Sequence, residues 1–302
     1  MEDKNWKGHI VLFVAYVIFG LNTPISKYIL VQGEVSAFAL TFYRFAGAAL
    51  LFWTVSLFVP REQVPKRDVL LLLIASLFGI FINQFSFVVG LSMTSPIDAS
   101  VITTFVPIIT MVLAAIFLKE PITWKKVIGV LIGATGALLL IFHGNTVRFN
   151  AGVEGNLFCV LSCVGFAIYL TVFKRLILRY SAVTLMKWMF LFATLCILPF
   201  CWKDINRVNY AGLSMDIYGR IAFVVVMSTF VSYLLIPIGQ KLLRPTIVSM
   251  YNYLQPLVSS LIAVVLGMDV FGWTKGVAAL LVFLGVYVVT QSKSRAQLTI
   301  ND

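Results

Sequence analysis

The chain is divided into runs of about 20 apolar residues with only short charged or turn-rich breaks between them, and this spacing dominates what it can fold into. The runs fall near residues 9–31, 36–59, 69–91, 96–118 and 124–143, and again near 155–178, 182–201, 217–240, 245–267 and 273–291. A helix needs about 20 apolar residues to cross the hydrocarbon core of a bilayer. The longest breaks, 144–154 and 202–216, are too short to fold alone. Charged residues make up 12% of the chain, against about a quarter in a soluble domain, so a water-facing surface could not be covered. The expected class is an all-α integral membrane protein with ten transmembrane helices. The opening Met1-Glu2-Asp3-Lys4-Asn5-Trp6-Lys7 lacks a cleavage-site pattern, and the run after it is too long for a signal peptide, so the first helix is expected to be retained.

The charge balance carries topology. With the N-terminus inside, Lys4, Lys7, Arg61, Lys66, Arg67, Lys119, Lys125, Lys126, Lys174, Arg175, Arg179, Lys241, Arg244, Lys293 and Arg295, 15 in all, fall on the cytoplasmic side. Lys27, Arg148, Lys203, Arg207, Arg220 and Lys275, 6 in all, fall on the other. The positive-inside rule therefore predicts a multi-pass protein of a cell membrane, such as a bacterial inner membrane, with both termini cytoplasmic. The net charge of +11 is explained by loops, and no nucleic-acid partner is needed. The four cysteines form no CxxC pair and there are two histidines, so no metal site is expected and the cysteines read as small packing residues. No G-x-x-x-x-G-K-[ST] loop occurs, and no Ser/His/Asp or paired-carboxylate arrangement stands out, so neither a cofactor nor an enzymatic activity is expected.

The chain also repeats itself. An offset of 149 lays Pro96 on Pro245, Ser100 on Ser249, Pro107 on Pro256, Trp124 on Trp273 and Gly136 on Gly285. Offsets of 145 to 147 bring Ser36-Ala37 onto Ser181-Ala182, Phe45 onto Phe190, and Phe19 and Lys27 onto Phe166 and Lys174. Each copy holds five spans, an odd number, so the second enters the membrane the other way up. Inverted repeats of this kind underlie many secondary transporters, with the site near the midplane. The expected units are residues 1–143 and 155–291, joined by an extracytoplasmic connection at 144–154 and followed by a cytoplasmic tail at 292–302.

The run from Pro107 to Pro121, with Lys119-Glu120-Pro121 at its end, continues into Gly129, Gly133 and Gly136. It resembles the EamA family of the drug/metabolite transporter superfamily, whose repeat ends in a proline, glutamate, glycine, glycine pattern. The likeness spans both halves, although Asp269 stands for the glutamate and Ala278 for the first glycine in the second copy. The resemblance implies ten helices in two inverted halves and transport, often export, of small metabolites such as amino acids.

Candidate site residues come from polar groups at mid-span depth. Pro107 and Pro256 are expected to kink their helices about eleven residues in, freeing the carbonyls of Thr103 and Asn252. Tyr251, Asn252 and Gln255 form the most polar mid-span patch, followed by Asn83 and Gln84 and their repeat partners Ser232 and Tyr233, and by Asn22 and its partner Tyr169. Polar groups so deep face a bundle interior or a wet cavity, where neutral donors and acceptors suit an amino or carboxylate group. Interhelical hydrogen bonding is the competing role.

Asp98 is the acidic residue clearly inside a span and the candidate for proton coupling. It also closes a Ser95-Pro96-Ile97-Asp98 box, which is how a helix begins. Among embedded cations, Lys27 is expected to reach the outer headgroups, Lys187 is also deep, and Arg44 needs a carbonyl or anion partner, structural pairing being favoured over substrate contact. Gly129 and Gly133 permit close helix contact, within the bundle or in a homodimer, with a monomer preferred. The partners expected are a lipid bilayer and a small organic solute. Drugs or nucleotide-sugar-like solutes on the same architecture, or a non-transporting membrane protein or intramembrane enzyme, are the competing readings.

Overall fold

The computed structural model describes residues 2–94, 96–142, 153–265 and 272–292. Among them all regular structure is helical. Eight helices are long and apolar enough to cross a membrane, and the segments at 124–142 and 245–265 complete the ten expected. In chain order they are α1 (Glu2–Gln32), α2 (Ala37–Val55), α3 (Lys66–Met93), α4 (Pro96–Thr103 and Val106–Leu118) and α5 (Trp124–Phe142). The second five are α6 (Val153–Val172, then Lys174–Arg179), α7 (Ala182–Arg207), α8 (Met215–Leu242), α9 (Pro245–Met250, Tyr251–Tyr253 and Leu254–Val265) and α10 (Trp273–Thr290). Boundaries match the apolar runs within a few residues, except that α1 starts earlier, at Glu2, and α7 runs on to Arg207. A basic residue in the last turn of α7 suits the negative end of the helix dipole. Residues 143–152, which hold most of the expected connection, together with Asp269, Ser95 and the tail from 293, lie outside the described residues.

Matched sequence produces matched local structure. Ser36 and Ser181 are both N-caps, their hydroxyls accepting from Ala39 N at 3.1 Å and Thr184 N at 3.2 Å. Lys27 Nζ donates to the Leu91 and Thr94 carbonyls, at 2.8 and 3.1 Å, at the end of α3. Its counterpart Lys174 donates to the carbonyls of Gln240 and Leu243 at the end of α8. The acceptors are themselves repeat-related (91+149=240 and 94+149=243). An ammonium at a helix C-terminus satisfies orphan carbonyls and the dipole together. Lys27 is therefore a helix cap and not a residue extended to the headgroups.

The two halves interleave. α1 packs on α8 and α9, and its counterpart α6 packs on α3 and α4, while the equivalents α2 and α7, and α5 and α10, meet each other. Phe45 and its counterpart Phe190 touch edge to face at 6.3 Å between centroids. The glycines of α5 are consumed inside the bundle. A Cβ added to Gly285 of α10 would lie 2.6 Å from the Gly129 carbonyl oxygen, and one on Gly129 would lie 2.9 Å from the Gly285 carbonyl.

Two pairs of irregularities interrupt this regular packing. α4 breaks at Thr104 and Phe105, and α9 tightens to a 3-10 turn over Tyr251–Tyr253, at matched positions (104+149=253). Pro107 and Pro256 were expected to bend continuous helices. They stand instead in the first turn of the second pieces, Val106–Leu118 and Leu254–Val265, where a missing N–H costs nothing. The second pair is two π-helical stretches, Leu77–Phe85 within α3 and Val224–Val231 within α8, which overlap under the repeat (77+149=226 and 82+149=231). Nothing in the apolar pattern announces them.

Candidate functional site

The breaks of α4 and α9 and the π-helical stretch of α3 border a cavity of about 580 Å³, counted out to its mouth. Its lining comes from α1, α2, α3, α4, α6, α8 and α9, hence from both halves. π-helical winding is rare and tends to mark functional positions. Asn83 and Gln84 lie within the first such stretch, and Tyr233 follows the second by two residues.

Of the nine mid-span candidates, Asn22, Asn83, Gln84, Thr103, Tyr233, Asn252 and Gln255 line the cavity. Most are already engaged. Asn83 donates to the Ser162 carbonyl and hydroxyl, both at 3.1 Å, and accepts from the Tyr233 hydroxyl at 3.0 Å. Asn252 donates to the Ser249 carbonyl at 2.8 Å and accepts from Gln255 Nε2 at 3.0 Å. Ser26 donates to Asn22 Oδ1 at 3.1 Å, and the Thr103 hydroxyl donates back to the Ser100 carbonyl at 2.8 Å. These bonds fix the walls. Gln84 differs: its buried side-chain amide has the Tyr233 hydroxyl as its polar neighbour and no other hydrogen-bond partner among the described residues.

Tyr169 and Tyr251 are not brought to the cavity wall. The Tyr169 ring lies against Gly79, where a Cβ would approach it to 2.6 Å, and is packed into the α3–α6 contact. Tyr251 turns to the start of α1, its hydroxyl 2.6 Å from His9 Nδ1. A continuous α-helix would put Tyr251 and Gln255 on one face, but the 3-10 turn changes the angular step between them. Asp98 is also away from the cavity, in the first turn of α4, where the Thr94 hydroxyl lies 3.4 Å from Oδ2 and also reaches Asn156 Oδ1 at 2.7 Å.

Eight lining residues were not among the candidates, and three of them bear on the chemistry of the site. Phe19 and Phe166 are a repeat-matched pair (19+147=166), and that match at common depth was the available signal. Arg44 is the third. Its side chain is buried, Nε donates to the Thr229 hydroxyl at 3.1 Å, and Nη1 has no partner among the described residues. Thr229 can accept because its own proton goes to the Val224 carbonyl five residues back, at 2.8 Å, a reach that follows the π-helical register. Arg44 is the one formal charge in the lining, and its partner is neither a carbonyl nor an anion. The other deep cation, Lys187, sits 5.0 Å from the centroid of the Trp53 ring.

The chain has relatives among known proteins. A transporter of Archaeoglobus fulgidus, described as uncharacterized, is 28% identical over 96% of this chain and 100% of its own length. The inner membrane transporter YicL of Salmonella typhimurium is 25% identical over 96% of this chain and 98% of its own. A WAT1-related protein of Arabidopsis thaliana, At2g40900, is 27% identical over 91% of this chain and 75% of its own. A solved crystal structure superposes with a TM-score of 0.74 at 19% identity, covering 95% of this chain and 96% of that one, which shows a shared fold. The sequence profile of the EamA-like transporter family matches residues 6–142 and 153–291, one match to each half. The chain belongs to the EamA-like transporter family.

Proposed function

We propose that the protein is a secondary transporter that exports small metabolites, such as amino acids or related compounds, by alternating access. The observation that carries this reading is the cavity at the meeting of two interrupted helices, one from each inverted half. Interrupted helices beside a midplane cavity supply polar backbone to a solute without exposing it to lipid. The neutral lining amides and hydroxyls suit a small polar solute. Nucleotide-sugar-like solutes fit less well, because a diphosphate wants several cations and the lining offers Arg44 alone.

Asp98 serves in this reading as a helix-start residue rather than a proton carrier, since it borders Thr94, whose hydroxyl also reaches Asn156, and does not line the cavity. The working unit is a monomer in a cell membrane with both termini cytoplasmic, supported by the loop charges and by the use of the α5 glycines within the bundle. Purified protein in liposomes tests the function. A panel of labelled amino acids, organic acids and dyes should yield at least one solute whose counterflow depends on the protein. Asn252→Ala and Gln255→Ala should each lower that flux while leaving the yield of folded protein unchanged. No movement of any member of the panel overturns the reading.

A further inference from the structure

From Arg44 and its surroundings we infer that the cavity is built for a small monocarboxylate with an apolar body, held by its carboxylate on the Arg44 guanidinium. The inference rests on the transport reading above and names the solute's charge class.

Arg44 is 2% exposed, and its single protein hydrogen bond in the described structure is to a neutral hydroxyl. The three ion pairs among the described residues, Lys126–Glu120, Arg179–Asp68 and Arg220–Asp216, leave it out, and among the described residues no acidic one lines the cavity. A buried cation without a counter-charge is costly, so a fold retains one where something else supplies the charge. Thr229 steadies the Nε edge, which leaves Nη1 for an incoming oxygen in the fork geometry that suits carboxylates. Gln84, whose amide has the Tyr233 hydroxyl as its polar neighbour, supplies a neutral donor and acceptor on the same cavity wall. Phe19, Phe87, Phe166 and Val106 give an apolar remainder against which a hydrocarbon body packs.

The internal repeat supplies an independent argument. Positions equivalent to Arg44 and Thr229 in the other half are Met189 (44+145) and Ile80 (229−149), both fully buried in the apolar core. The same helix junction is therefore built without a charge, and the scaffold does not require Arg44. Charge balance then sharpens the ligand. One positive charge is neutralised by one carboxylate, whereas a zwitterion would leave its ammonium without an anionic partner in the cavity. A 2-oxo acid with an apolar side chain fits better than the corresponding amino acid, and its uncharged amide fits worst.

The test uses the purified full chain in liposomes with three labelled probes that share the isobutyl side chain: 4-methyl-2-oxopentanoate, leucine and 4-methyl-2-oxopentanamide. The oxo acid should move at least about tenfold faster than the amide and faster than leucine. Arg44→Met, which installs the residue used by the other half, should remove the oxo-acid flux while leaving elution profile and melting temperature at the wild-type values. Arg44→Lys should retain part of it. Two results overturn the inference while transport stands: leucine or the amide moving as fast as the oxo acid, or oxo-acid flux unchanged in Arg44→Met. If the oxo acid does not move but a dye or another solute does, the inference falls alone. If the wild type moves nothing in a wider panel, both fall.

Discussion

Lys27 and Lys174 occupy equivalent positions in the two halves and make the same contacts, whereas Arg44 and Met189 are equally equivalent and share nothing. Each lysine caps the last carbonyls of a long helix, at opposite ends of the bundle. The serine caps, the helix interruptions and the π-helical stretches are duplicated in the same way. The polar cavity residues are not. Asn22 answers to Tyr169, Gln84 to Tyr233 and Arg44 to Met189, with only the depth preserved. What an inverted repeat must do twice is hold the same helices at both faces of the membrane. What it need do once is recognise a solute, and that chemistry is free to become asymmetric.

The contrast can be broken most forcefully by Met189→Arg. Met189 is fully buried in the apolar core and is not part of the cavity lining, so a guanidinium there should cost roughly 3–5 kcal/mol. Yield of monodisperse protein and its melting temperature in detergent measure this, and a stable variant would mean that the halves differ by accident. Next comes Lys174→Ala, which strips two ammonium-to-carbonyl bonds and should cost about 2–3 kcal/mol in the same melt. Lys27→Ala should cost less, because its ammonium is better solvated. If the order reverses, the two caps are not equivalent. Asp98→Asn should cost about 1 kcal/mol as a weakened helix start and leave the pH profile of flux unchanged. Loss of pH dependence would restore Asp98 as a proton carrier. The smallest stability change is expected for Arg44→Met, within about 1 kcal/mol of wild type in either direction, since removing an uncompensated buried charge offsets the contact it loses.

The ten spans were legible because lipid enforces a length and a polarity that the sequence cannot disguise. The repeat was legible through prolines, glycines and tryptophans that fall in one register, and it led from depth to seven cavity residues. Tyr169 and Tyr251 share that depth without lining the cavity, because depth alone does not give azimuth. A 3-10 turn rotates Tyr251 toward His9, and Gly79 makes room for the Tyr169 ring. Neither winding change has a compositional sign in a uniformly apolar run. Arg44 was weighed as a structural ion because long basic side chains usually find a carbonyl. Only the three-dimensional arrangement reveals a hydroxyl at one edge and no partner at Nη1.

The lysine caps have a practical corollary. An ε-amine that donates to helix carbonyls is shielded from electrophiles while the contact holds and becomes reactive when the helix end swings away. Because the two amines stand at opposite ends of the bundle, an impermeant acylating reagent applied from one side of a sealed vesicle samples one of them. The yield of adduct at Lys27 relative to Lys174 then acts as a covalent record of which end was open, and it can be read by mass spectrometry before any solute is known.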